Sequence, residues 1–465
     1  MPSIARGADA AAGGQVVTFF ARPETRQKLE DSARPKVILI GSFSGPKNFG
    51  DMLQLRSALR WHEMRERGLV ICPLHSLARA WPPEHLQELA RVFGTDDWLF
   101  CDKSSDGTYA AALGLERLTA GIRGHSTLHV YGGGFFNSLW GQRTLARIEA
   151  TLDETVPEHY IISGQQVGQE FAARLAAHCR SYQPDIIGCR DEESVTILRQ
   201  YGLDVQFSGD DAFEELVEAS SAGSLPPLAD RAHEGESTRP YALYLNSSPY
   251  VLTAQTRSTA LEEIENCLSL LVQHFGSGTP PLLIEAYRDV NPLIQDTLAT
   301  IKKTRFATAL SASTRLDLVD CFERNCLDEA ATMLRQCQLA VSTSYHVTLF
   351  LKILGVPVYF LSFNDYYRQK KQGLGDTQTS LEEFLRAPRL PAETKNASVS
   401  RHLTARVAWF DQLDAALAAP PQDARLLARA RASLEHLQQQ RSSAGFSPTP
   451  TLWRKLTAWL RRGST

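Results

Sequence analysis

The feature that most constrains this chain is the apolar run Val37-Ile38-Leu39-Ile40, closed by Gly41 and followed, after a turn-rich stretch, by an amphipathic helix pattern. Such a run without polar alternation reads as a strand buried on both faces, which a helix-covered parallel sheet provides. Asp51 is placed to cap the helix, and Gln54 three residues on resembles a capping box. Leu55, Ala58, Leu59 and His62 hold one helical stripe until Gly68, and Leu69-Val70-Ile71-Cys72 supplies the next strand of a βαβ unit. Strand-like runs recur at 127–131, 159–163, 185–188 and 204–208, with helical stretches at 169–180 and 192–201 between them. A second series runs through 241–245, 282–285, 304–309, 339–342 and 356–360. This alternation predicts an α/β fold of mostly parallel sheets.

A chain of 465 residues exceeds one hydrophobic core, so the two series are expected to be separate domains. The expected boundaries are an N-terminal extension over 1–34, a first domain over 35–217, a Ser/Pro/Gly-rich linker over 218–240 and a second domain over 241–385, with a helical region over 386–465. A net charge of −3 excludes broad electrostatic binding to nucleic acid. The eight cysteines include no CxxC pair and the twelve His no HExxH, so no structural zinc site is expected. The N-terminus lacks a signal-peptide pattern and no apolar stretch is long enough to span a bilayer, which predicts a cytoplasmic protein.

Ligands of open α/β sheets bind beyond the carboxyl ends of the strands. Several segments fall at such ends. Asn48, Gly50 and Asp51 lie in a glycine-containing turn before the first helix, although neither P-loop nor GxGxxG spacing is present. Gly132, Gly133 and Gly134 follow a strand; three glycines in a row need either a sharp turn or a ligand against the backbone. Gln165 and Gln166 sit in a strand-to-helix turn and suit a hydroxylated acceptor or a plain surface loop. Arg190 ends a strand beside the helix cap Asp191, where a guanidinium suits a carboxylate or phosphate, or a local salt bridge. Asp210 and Asp211 are adjacent acids that could hold a metal, act as a base or cap a helix. His346 opens a helix at the second sheet's ligand edge, where an imidazole is either structural or a proton donor or anion ligand. Asn364, Arg368, Lys370 and Lys371 fall in a cationic, tyrosine-containing loop after the last strand.

In order, these segments resemble the polysaccharide pyruvyl transferase family: Asn48-Phe49-Gly50-Asp51, Gly132-Gly133-Gly134, Gly164-Gln165-Gln166-Val167-Gly168, Arg190-Asp191-Glu192-Glu193-Ser194, Asp211-Ala212-Phe213, and Ser342 to His346 before Gly355-Val356-Pro357. The resemblance runs from about 36 to 375. It implies two Rossmann-like domains facing a cleft, as in GT-B glycosyltransferases. It also implies transfer of a pyruvyl group from phosphoenolpyruvate, as donor substrate and without a cofactor, to a sugar hydroxyl of a polysaccharide or lipid-linked glycan precursor. Arg190 would hold an anionic group of the donor and His346 would be phosphate ligand or general acid, with Ser344, Tyr345, Arg368, Lys370 and Lys371 as donor-binding candidates. The family usually carries Arg two residues before the His, where this chain has Ser344. A hydroxyl does not replace a guanidinium fork, so either a cation from 368–371 compensates, or the donor differs, or the activity is lost. A nucleotide-sugar glycosyltransferase and a non-catalytic glycan-binding relative are the competing expectations.

The last segment, 451–462, carries four cations, two Trp and three Leu with one apolar face. It suits either peripheral contact with an anionic membrane or docking on the protein itself.

Overall fold

The computed structural model describes residues 18–31, 36–41, 43, 47–63, 68–73, 83–95, 97–102, 108–118, 126–222, 241–247, 254–288, 296–311, 313–375, 380–388, 392–429, 431, 432 and 435. The front lobe holds β1 (Thr18–Ala21), β2 (Lys36–Gly41), β3 (Gly68–Pro73), β4 (Leu99–Asp102), β5 (Glu116–Arg117), β6 (Ser126–Val130), β7 (Gly133–Phe136), β8 (His159–Val167), β9 (Ile186–Cys189) and β10 (Gln206–Phe207). The back lobe holds β11 (Tyr241–Tyr244), β12 (Leu282–Glu285), β13 (Thr314–Asp317), β14 (Leu339–Ser342) and β15 (Val358–Phe360).

The main front sheet runs β10-β9-β8-β6-β2-β3, with β7 paired to β8, and the back sheet runs β13-β12-β11-β14-β15. Every pairing in both sheets is parallel. Val37, Ile38, Leu39 and Ile40 are each 1% exposed or less, as a strand covered on both faces requires. Chain order reverses at β2/β6 in front and at β11/β14 behind, which opens a crevice beyond the carboxyl ends of those strands. The α/β class and the GT-B-like pair of parallel sheets are therefore present.

Some expectations need correction. Residues 18–31, assigned to an extension, are folded. Thr18–Ala21 pairs antiparallel with β4 and β5, and helix Pro23–Glu30 follows. Phe19, Ala21 and Leu29 are buried there, so burial of those apolar side chains supplies the order that periodicity did not reveal. Residues 304–309 form no strand. Helix Ala307–Leu310 lies there, and the edge strand is the more polar Thr314–Asp317. Residues 218–222 finish helix Phe213–Ala222; the rest of the proposed linker, 223–240, lies outside the described residues, as does 451–462. Among the described residues, no helix is long and apolar enough to cross a membrane.

The lobes meet through backbone as well as side chains. Asn48 bridges Tyr287, the Phe49 N–H donates to the Ala286 carbonyl at 3.0 Å, and the Arg288 N–H to the Lys47 carbonyl at 2.6 Å. The 27-residue helix Ala392–Ala418 then returns to the front lobe. Trp409, 1% exposed, packs there with Trp61 and Ile161. Further on, Arg429 donates to the carbonyls of Pro157, Glu158, Tyr182 and Gln183 and to Asp185. That guanidinium is buried, yet five acceptors satisfy it.

Candidate active site

The centre of the crevice is Asp210, fully buried. Gly209, at φ +72°, turns the chain out of β10 and aims this carboxylate inward. Gln54 Nε2 lies 3.2 Å from both carboxylate oxygens, and the Ala212 N–H donates to Oδ1 at 2.9 Å. Arg190, at the end of β9, brings Nη1 to 3.5 Å from Oδ2. His346 brings Nε2 to 3.4 Å from Oδ1 across the lobe boundary. Burial alone would raise the Asp210 carboxyl; His346, Arg190 and the Ala212 N–H outweigh it and hold the group well below the usual carboxylate range.

His346 stands in the first turn of helix Tyr345–Leu354, whose cap is Ser344: its Oγ accepts from the Val347 N–H at 3.5 Å. The Ser at the family's Arg position is thus spent on ending the strand-to-helix turn. A Cβ on Gly50 would stand 1.9 Å from His346 Nδ1, so only glycine lets the imidazole lie against the front-lobe backbone. Tyr345 is buried with its ring 4.0 Å from the Arg190 guanidinium carbon, and Arg190 also donates to Gln166 Oε1. Burial, and then the Asp210 charge, keep the Tyr345 phenol strongly protonated.

Several buried polar atoms here lack a hydrogen-bond partner: Gln54 Oε1, Gln165 Oε1, Gln166 Nε2, Arg190 Nε and Tyr345 Oη. Buried polar atoms are costly when unpaired and are rarely left so. Five of them drawn from both lobes around one carboxylate mark a place suited to a polar ligand.

The other candidates divide. Lys370 is partly buried with Nζ 4.2 Å from the Tyr366 ring centre. Burial, with help from the Arg190 charge and against Asp51, brings its ammonium down to about 7. Lys370 thus lies within electrostatic reach of Arg190 and Asp51. Arg368 does not: it is exposed and ion-paired with Asp365, three residues before it on the same helix. Lys371 lies over Tyr359, 4.6 Å from the ring centre. Asn364 caps helix Asp365–Gly373, accepting from the Tyr367 N–H at 3.1 Å. Asn48 holds the Gly50 N–H at 3.0 Å, and the helix starts at Phe49, which puts Asp51 within its first turn.

Glycines 132–134 do not form a strand-to-helix turn. Gly133–Phe136 is strand β7 on β8, and Gln165 and Gln166 lie within β8. Gly132, at φ +38°, would place a Cβ 2.5 Å from Gln54 Cδ, and Gly134 one 3.0 Å from Arg190 Nη2. Gln165 Nε2 donates to the Gly132 and Ser163 carbonyls. Asp211 faces away from the crevice centre. Its Oδ2 accepts from the Gly132 N–H at 2.7 Å and Ser163 Oγ at 2.6 Å, and its Oδ1 from Arg406 Nη1 at 2.6 Å. Of the two adjacent acids, Asp210 is the one at the centre, not the Asp211 of the Asp-Ala-Phe segment. The Gln54 side chain, expected in a capping box, instead reaches Asp210. The signal for Gln54 was its place on the apolar face beside Leu53 and Leu55, where a polar side chain needs a buried partner.

The family model described as polysaccharide pyruvyl transferase matches residues 48–365. No curated protein sequence matches the chain significantly. Among solved structures, UDP-GlcNAc 2-epimerase from Methanocaldococcus jannaschii has 13% identity and TM-score 0.39, covering 80% of this chain and 99% of its own. The Neisseria meningitidis UDP-GlcNAc 2-epimerase has 10% identity and TM-score 0.40, with 80% and 100% covered. Acinetobacter baumannii MurG has 10% identity and TM-score 0.37, with 82% and 99% covered. Likenesses at this level carry no argument.

Proposed function

The chain belongs to the polysaccharide pyruvyl transferase family, and on that premise we propose that its crevice moves a pyruvyl group from phosphoenolpyruvate to two hydroxyls of one sugar. The observation that carries the reading is the set of unpaired buried polar atoms contributed by both lobes around Arg190, Tyr345 and His346.

Phosphoenolpyruvate presents a carboxylate and a phosphate. Arg190 Nε, Gln166 Nε2 and the Tyr345 hydroxyl are donors free to receive them, and the Lys370 ammonium adds charge from the back lobe. His346 is the proton donor to the enol methylene, and Asp210 holds its imidazole in place. The proton creates a methyl group and oxocarbenium character at C2, which the first sugar hydroxyl attacks. The C2–O bond to phosphate breaks, and the second hydroxyl closes the ketal. One hydroxyl proton replaces the proton given to carbon, and the other leaves with phosphate. Fixed donors at a buried site stabilise the negative charge that builds on the departing phosphate without reorganising.

The test is a thermal-shift measurement with phosphoenolpyruvate and with a nucleoside diphosphate, followed by acceptor-dependent phosphate release. Stabilisation by phosphoenolpyruvate and phosphate release abolished in His346→Ala are expected. Stabilisation by the nucleoside diphosphate alone would overturn the reading in favour of nucleotide-sugar transfer.

A further inference from the structure

The turn that follows Arg190's glycine contact leads to an aromatic pair that the chemistry above does not use. Asn137 Nδ2 donates to the Gly134 carbonyl at 2.7 Å, and its Oδ1 accepts from the N–H groups of Leu139 and Trp140 at 2.9 and 3.1 Å. This fixes Trp140 at a set distance along the backbone from Gly134, whose Cβ position lies 3.0 Å from Arg190 Nη2. Across the crevice, Tyr366 of helix Asp365–Gly373 meets the Trp140 ring edge-on, with centroids 5.6 Å apart and planes at 67°. Gln369, on the same helix, donates to the Val167 carbonyl at 2.8 Å and holds it to the front lobe. Lys370 Nζ covers Tyr366, and its ammonium feels the Arg190 charge. Arg190, Gly134, Asn137, Trp140, Tyr366 and Lys370 therefore lie along one run of contacts, cationic at its two ends and aromatic between them.

Trp140 and Tyr366 are both partly exposed, and Leu139 beside them is 50% exposed. Two aromatic rings with an exposed leucine are poor company for phosphate or carboxylate. They suit the weakly polar C–H face of a pyranose, whose hydroxyls stay at the polar rim. We propose that Trp140 and Tyr366 form the acceptor subsite, a platform of one ring from each lobe that seats the sugar and turns its hydroxyls toward the donor beside Arg190. The inference rests on reading the crevice as a sugar-modifying site, and it adds where the acceptor sits. It also makes acceptor binding depend on both lobes being in contact, since neither ring alone forms the platform.

The experiment is a tryptophan-fluorescence titration of the full chain, without donor, using methyl β-D-galactopyranoside and methyl β-D-glucopyranoside. The wild type should show saturable quenching by at least one glycoside. Trp140→Leu should bind at least tenfold more weakly, while Trp140→Phe stays within threefold when binding is read by calorimetry. Tyr366→Leu, on the other lobe, should weaken binding as well and serves if Trp140→Leu does not fold. The thermal shift given by phosphoenolpyruvate should be the same in Trp140→Leu as in the wild type. Absence of saturable binding, or unchanged sugar affinity in Trp140→Leu and Tyr366→Leu, overturns the subsite. Platform-dependent sugar binding without any response to phosphoenolpyruvate supports the subsite and sinks the pyruvyl reading.

Discussion

Replacing Asp210 by Asn removes one charge and no volume, and it tests whether the crevice is organised around that carboxylate. The group is fully buried, with Arg190 at 3.5 Å, His346 at 3.4 Å and Gln54 at 3.2 Å. Asn can still accept from Ala212, but its NH2 must face Gln54 Nε2 or Arg190, which are themselves donors. Removing one partner of a buried ion pair leaves the other uncompensated and costs about 3–5 kcal/mol. For a lobe of this size that is a drop in Tm of roughly 6–20 °C, at about 2–4 °C per kcal/mol. The folded-state Asp210 is depressed, so its stabilisation is present above the ordinary Asp value of about 3.9 and is lost as pH falls below it. The gap between wild type and Asp210→Asn should be full at pH 7 and narrow below about pH 4. Calorimetric scans across that range measure it. Phosphate release should fall about 100-fold or more if Asp210 also holds the general acid. An Asn variant with wild-type Tm at pH 7 and undiminished turnover would refute the reasoning.

Four further outcomes are expected. In Gly50→Ala the new methyl meets His346 Nδ1 at 1.9 Å and must displace the imidazole, so turnover should drop more than donor affinity, with about 1–3 kcal/mol lost in calorimetric scans. Lys370, brought down to about 7, loses its proton as pH rises through neutrality; kcat/KM for phosphoenolpyruvate should decline above that point, and Lys370→Met should be weaker at pH 6 and lack the decline. Arg406→Leu leaves Asp211 and Glu214 without their cation, and a loss of about 3–5 kcal/mol in denaturant unfolding is expected. Arg368→Ala removes only an exposed pair with Asp365, so stability should stay within about 0.5 kcal/mol and the donor KM should not change.

The two sheets were legible because their central strands are unbroken apolar runs that only double-sided burial explains. Thr314–Asp317 was not, because an edge strand of Thr, Arg, Leu and Asp carries no such run. Strand β1 was hidden for a related reason: its four residues find partners at 99–102 and 116–117, far along the chain, and local periodicity cannot show a distant pairing. At the site, the glycines and Arg190 were legible as turn chemistry. Their reasons were not: Gly50 is dictated by a histidine nearly three hundred residues away, and Gly134 by a guanidinium just beyond the end of another strand. Among 368, 370 and 371 the sequence offered three equivalent cations. Helical geometry separates them by sending Arg368 to Asp365, Lys371 to Tyr359 and Lys370 toward Arg190.

Asp210 and Asp211 explain why the returning helix beyond residue 365 belongs to the site. Two adjacent buried carboxylates repel, and each needs its own compensation. Asp211 receives it from Arg406, on the helix Ala392–Ala418, and from the Gly132 N–H. Asp210 receives it from Arg190 in front and His346 behind. Because Arg406 takes the first acid, Arg190 and His346 are left to meet at the second. The front-lobe strand end, the back-lobe helix and the returning helix thus fix one another's charges, and the crevice acquires its cation–carboxylate–imidazole line only when all three are in place.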